Sequence, residues 1–131
     1  MALAPEIREW VQAAAGRGSR LGRVARLRGS TSSTLLELRV ERPAGSELAL
    51  VLRLFDNPEW LKDEPDLAEH EARNLVEDGR RGVLAPELLA VDEGGEVCGW
   101  PAVLMTRLPG RVELLPADPD DWLRQMAAAL L

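Results

Sequence analysis

Between Leu48 and Phe55 the chain reads Leu-Ala-Leu-Val-Leu-Arg-Leu-Phe, an apolar run interrupted only by Arg53. Length and composition predict a β-strand. Alternation along a strand puts Arg53 on the face shared by Val51 and Phe55. A cation on an apolar face is strongly unfavourable unless an anion pairs with it. A carboxylate brought to that strand would remove the penalty. Glu71, on the helix predicted to follow, is the natural partner; Glu69, two residues away, points to a different side of that helix. The plainer alternatives are that Arg53 snorkels at the strand end, or that the pair is purely structural.

The pattern on either side of this strand is that of an α+β domain. Residues 4–15 predict a helix, with Ile7, Trp10, Val11 and Ala14 on one face and Gly16-Arg17-Gly18 as its stop. Arg23–Arg28 and Leu35–Glu41 predict two strands, and Pro43-Ala44-Gly45-Ser46 a turn into the run at Leu48–Phe55. Asp56–Pro65 reads as a polar insertion. Asp66–Glu77 predicts a helix anchored by Leu67, Leu75 and Val76 and closed by Asp78-Gly79. Pro86–Asp92 and Val97–Met105 predict two more strands, the second broken at Gly99-Trp100-Pro101, and Trp122–Leu131 opens a further helix. Short turns between successive strands imply a five-stranded antiparallel sheet.

Composition limits the function classes. The 131 residues are 46% hydrophobic and 29% charged, which is globular rather than disordered. Cys98 is the single cysteine and His70 the single histidine, so neither an intramolecular disulfide nor an ordinary zinc site can form. No stretch approaches the ~20 apolar residues of a membrane helix, and the N-terminus lacks a secretory layout. A soluble, cytoplasmic chain is the expectation. The net charge of −6 is uneven: residues 1–55 hold nine Arg against five Glu, with Arg17, Arg20, Arg23, Arg26 and Arg28 uninterrupted by any acid. A polyanion surface is one reading of that run. A solvated strand and turn is the blander one, favoured because no aromatic residue is interleaved for base stacking.

Three segments could carry chemistry. Gly29, Ser30, Thr31, Ser32 and Ser33 form a small-residue turn whose amides and hydroxyls could cradle phosphates, although such clusters are usually plain turns. No G-x-x-x-x-G-K-[ST] segment exists, which excludes a Walker-type loop. Arg53 with Glu71 could fix a phosphate-binding cation. The link Met105-Thr106-Arg107-Leu108-Pro109-Gly110 exposes backbone groups that could pair with a purine edge; an ordinary strand end is the alternative.

In that order these segments resemble the N-terminal lobe of the aminoglycoside phosphotransferase family, which also takes in choline- and homoserine-kinase-like enzymes and has a protein-kinase-like fold. The likeness covers roughly residues 20–131 and is most specific at Ala49–Arg53, Glu71–Leu75, Val83–Asp92 and Gly99–Met105 through Leu108-Pro109-Gly110. The chain reads as one domain: an N-terminal helix at 1–16, then, as the resemblance implies, sheet plus helix at 23–110 and at 111–131 a linker with the start of a second-lobe helix.

The resemblance also implies roles. Gly29 to Ser33 would cover the phosphates of ATP. Arg53 would stand where a lysine usually contacts the α- and β-phosphates, with Glu71 as its partner. Met105 would flank the adenine pocket, the Thr106 carbonyl and Leu108 N–H would bind the adenine edge, and Val51 with Leu38 or Leu36 would roof it. Arg53 departs from the usual lysine in bulk and donor geometry. The family's His-Gly-Asp-type catalytic segment and its metal-binding Asp have no counterpart here and would lie beyond Leu131. Asp118, Asp120 and Asp121 read instead as a solvated loop and a helix N-terminus. The expectation is a nucleotide-binding lobe that does not transfer phosphate alone, binds ATP weakly if at all, and meets Mg and a small-molecule acceptor only in a two-lobe parent. The rivals are a self-associating interaction module derived from such a lobe, favoured by the apolar surface a lone lobe exposes, and nucleic-acid binding through Arg17–Arg28.

Overall fold

The computed structural model describes residues 3–27, 33–82 and 84–107. In chain order these form α1 (Pro5–Ala15), β1 (Arg20–Leu27), β2 (Thr34–Glu41), β3 (Glu47–Leu54), α2 (Pro58–Asp63), α3 (Leu67–Arg80), β4 (Leu88–Asp92) and β5 (Ala102–Thr106). The strands make one antiparallel sheet in the order β1-β2-β3-β5-β4, as the alternating runs and short turns predict. The helix expected at Trp122–Leu131 lies outside the described residues.

Each face of the sheet is covered by a different helix. Pro5 starts α1, and Gly16, at φ 123°, ends it. Val11, fully buried, packs with Leu36, Leu38, Leu50, Leu52 and Leu104 on one side of the sheet. Two bonds pin this helix to β1: Arg8 Nη1 donates to the Leu21 carbonyl at 2.9 Å, and Leu21 N–H donates to Gln12 Oε1 at 2.8 Å. The opposite face holds a second core, in which Phe55, Ala68 and Val103 are joined by Leu67, Leu75, Leu88 and Val91. Alternation in β3 separates the two: Leu50 and Leu52 face α1, while Val51, Arg53 and Phe55 face the side of α3.

Four of the departures from the sequence expectation have a local reason. β1 begins at Arg20 because a bulge sets Leu21 opposite Val40 and Val24 opposite Leu38, leaving both Gly22 and Arg23 exposed. The polar insertion contains α2, capped by Asn57, whose Oδ1 accepts from the N–H groups of Glu59 at 3.1 Å and Trp60 at 3.3 Å. α3 runs through Asp78-Gly79 to Arg80; the glycine that closes the turn is Gly82, at φ 71°. Its buried anchors are Ala68 and Ala72, whereas Val76 turns outward and is 43% exposed. β5 starts only at Ala102, because the preceding residues fold back onto Asp92 instead of extending.

That fold-back is organised by one carboxylate. Asp92, at the end of β4, accepts from the N–H groups of Glu96 (3.0 Å), Val97 (2.9 Å) and Cys98 (2.8 Å). Gly95 at the turn has φ 75°, and a Cβ there would stand 2.8 Å from the Trp100 backbone. Tightening this connection sets the direction in which β5 re-enters the sheet between β3 and β4.

Candidate functional site

Arg53 meets Glu71 as the lone cation of β3 requires. Arg53 Nη1 donates to both carboxylate oxygens of Glu71, at 3.0 and 2.9 Å, and Arg53 Nε donates to Ser33 Oγ at 3.0 Å. The guanidinium carbon lies 5.0 Å from the Phe55 ring centroid, within range of a cation–π contact. Both partners are about three-quarters withdrawn from solvent, at 27% and 24% side-chain exposure. Nη2 is the one guanidinium nitrogen that none of these bonds engages among the described residues. Ser33 stands at the foot of β2, the last residue of the small-residue turn; Gly29, Ser30, Thr31 and Ser32 lie outside the described residues. Thr34 beside it donates from its hydroxyl to Asp56 Oδ2, which ties the start of β2 to the end of β3.

The face carrying Arg53 is ordered in cross-strand rows, because directly paired residues point the same way. Leu35, Arg53, Val103 and Val91 form one row. Glu37, Val51, Met105 and Leu88 form the next. Arg39 pairs with Ala49 in the third, where Arg107 N–H donates to the Ala49 carbonyl at 3.0 Å. Val51 and Met105 thus lie side by side, each 8% exposed. Thr106, next along, donates from its N–H to the Glu87 carbonyl and accepts from the Glu87 N–H at 2.8 Å, which fixes the end of β5 to the segment before β4. Leu108 lies outside the described residues.

One expectation is overturned here. Leu36 and Leu38 cannot roof a pocket with Val51, since both face α1 and are packed in the other core. The β2 residue opposite Val51 is Glu37, a carboxylate where an apolar residue is expected. It is neutralised locally: Glu37 Oε1 accepts from Arg107 Nη1 at 2.8 Å and from Arg39 Nε at 2.9 Å. Arg39 also reaches Glu47 at 3.2 Å. The sequence reading passes over Glu37, Arg39 and Arg107, because alternation alone marks them as solvent-facing.

Beside the Arg53–Glu71 pair opens a cleft of about 490 Å³ lined by Phe55, Trp60, Leu67, His70, Asn74 and Leu75, among others. α2 supplies Trp60, so the helix hidden in the polar insertion forms one wall of it. A cleft of about 640 Å³ lies along α3 and Leu88 and does not include Arg53. No group of three or more His, Cys, Asp or Glu able to hold a metal ion occurs among the described residues. Among the same residues no helix is long and apolar enough to cross a membrane.

Arg17, Arg20, Arg23 and Arg26 are all exposed, and none makes an ion pair among the described residues. Arg20, Arg23 and Arg26 lie on the edge strand β1, where charged side chains discourage further strand pairing; Arg28 lies outside the described residues.

A comparison with curated proteins gives no match. The family model described as "APH: Phosphotransferase enzyme family" matches residues 7–131, nearly the whole chain. A sheet with a cation-bearing third strand, an acid on the helix that follows and a link after the fifth strand is the arrangement this resemblance implies, and the chain belongs to the phosphotransferase enzyme family.

Proposed function

We propose that this chain is the nucleotide-binding part of an ATP-dependent phosphotransferase acting on a small hydroxyl compound, such as an aminoglycoside, choline or another amino alcohol. One observation carries the reading: Arg53 is held from two sides, by Ser33 and Glu71, through Nε and Nη1, and these bonds leave Nη2 unengaged among the described residues. A guanidinium oriented in this way is a preformed donor for phosphate oxygens. Glu71 is its positioning residue. The Val51–Met105 pair lies one row away as the apolar contact for a planar base, and the carbonyl of Thr106, whose own N–H is bonded to Glu87, would meet its edge. Acceptor binding, the general base and the metal ligands would come from other residues than these, so residues 1–131 bind nucleotide without transferring phosphate. Dependence on ATP fits a cytoplasmic location.

A cleft with a single wall binds weakly, and the chain should bind ATP with Kd on the order of 1 mM. Titration of ATP followed by tryptophan fluorescence tests this. Arg53→Ala should weaken binding at least tenfold, and an unchanged affinity in Arg53→Ala would refute the assignment.

A further inference from the structure

The charged group on the nucleotide face has no role in the reading above, and its geometry is specific. Arg107 follows β5 directly, yet its side chain returns across the sheet to Glu37, 70 residues away in sequence. Ala49 is the residue that Arg39 and Arg107 flank in their row. It carries only a methyl group, a small neighbour for two arginines that both bond Glu37. The result is a half-buried bridge, with Glu37 at 17% and Arg107 at 32% side-chain exposure, beside the Val51–Met105 pair.

We propose that Arg107 is a base-contacting residue of this face, its guanidinium plane stacking on the ring of a bound purine nucleotide, and that Glu37 is the residue that positions it. The inference rests on the nucleotide reading above. An arginine is suited to this because its guanidinium is planar, weakly hydrated and attracted to aromatic faces. Glu37 engages Nη1 at its edge, in the plane of the guanidinium, and so does not itself occupy a stacking face. Confinement by Glu37 also removes much of the rotamer freedom that stacking would otherwise cost. Glu37 itself stays out of the base plane: it is opposite Val51 and already accepts from two arginines. A purine presents a larger π-face than a pyrimidine, so ATP should be preferred over CTP.

The test separates base from phosphate. The whole chain is titrated with ATP, CTP and inorganic tripolyphosphate, with amide NMR shifts as the readout and as a check of fold. Wild type should bind ATP about fivefold or more tighter than tripolyphosphate. Arg107→Ala should abolish that advantage while leaving tripolyphosphate binding unchanged. Arg107→Lys, which keeps the charge but not the plane, should behave like Arg107→Ala. Glu37→Gln should lose part of the advantage, and adding it to Arg107→Ala should cause no loss beyond that of Arg107→Ala. Arg107→Gln, which can still donate to Glu37, provides a variant with the link retained should Arg107→Ala disturb the fold. If ATP and tripolyphosphate fall together, or if ATP binding ignores Arg107, the bridge is a structural strap and the proposal is wrong. If wild type binds both ligands equally but Arg53→Ala loses both, the phosphate reading stands and only the base assignment falls. If wild type binds neither ligand, the nucleotide reading itself fails and this inference with it.

Discussion

Arg53 Nη1 lies 2.9 Å from one carboxylate oxygen of Glu71 and 3.0 Å from the other, so a single nitrogen holds the acid of α3 against the sheet. The remaining bond, from Nε to Ser33, links the same guanidinium to the start of β2. Three elements distant in sequence therefore converge on one side chain.

The coupling between these two residues should be measurable but modest, because each is only partly withdrawn from water. In a double-mutant cycle of Arg53→Met and Glu71→Gln, urea unfolding should give a coupling of about 1 kcal/mol. Glu71→Gln alone should weaken ATP binding through misorientation of Arg53. A zero coupling energy would mean that the pair does not hold α3.

Asp92 is 7% exposed and serves three backbone donors. Asp92→Ala leaves those N–H groups without their acceptor and should cost about 2–4 kcal/mol in thermal or urea unfolding. Asp92→Asn keeps one acceptor oxygen and should cost less. Equal losses for the two variants would show that the carboxylate charge, rather than the number of acceptors, holds the turn.

The Cys98 thiol is pushed up to about 12 by burial first, then by the Asp92 carboxylate beside it and by their hydrogen bond. A thiolate is the reactive form, so Cys98 should resist thiol reagents at pH 8 in the native state and react fully in denaturant. The sign for stability follows. The unfolded chain ionises this thiol from about 9 upward while the folded chain keeps it protonated. Cys98 should thus contribute stability at neutral pH that is lost as pH rises from about 9 toward about 12. A Cys98→Ala variant should show a shallower alkaline decline over that window, measured by unfolding at stepped pH.

Gly95 combines φ 75° with the Trp100 backbone 2.8 Å from where a Cβ would sit. Gly95→Ala should destabilise by about 2 kcal/mol or more, because neither the positive φ nor the packed backbone can relax cheaply. Gly45→Ala, also at positive φ but with open space around it, should cost less. Reversal of that order would contradict the packing described for the 95–100 turn.

Much of this architecture is legible in the sequence, for identifiable reasons. Alternation in Leu35–Glu41 and Leu48–Phe55 marks the central strands, and the single cation in the second of them points to Glu71. What stays hidden depends on small residues and on register. α2 is only six residues long and has no apolar period; Asn57-Pro58, an N-cap followed by a first-turn proline, is the signal that marks it. Val76 looks like an anchor on hydropathy, yet the helix seats itself through Ala68 and Ala72, whose small side chains allow close approach. Leu36 and Leu38 look like a pocket roof for the same reason, but the strand's period of two assigns them to the core under α1. Glu37 and Arg107 become partners only through the β2–β3–β5 register, which no local pattern encodes.

The most direct measurement is an amide NMR map of the chain titrated with ATP. The account predicts the largest shifts at Ser33, Arg53, Glu71 and Met105 to Arg107, all weakened in Arg53→Ala. Shifts concentrated along Arg17, Arg20, Arg23 and Arg26, with the Arg53 face silent, would contradict it and favour a surface that binds polyanions.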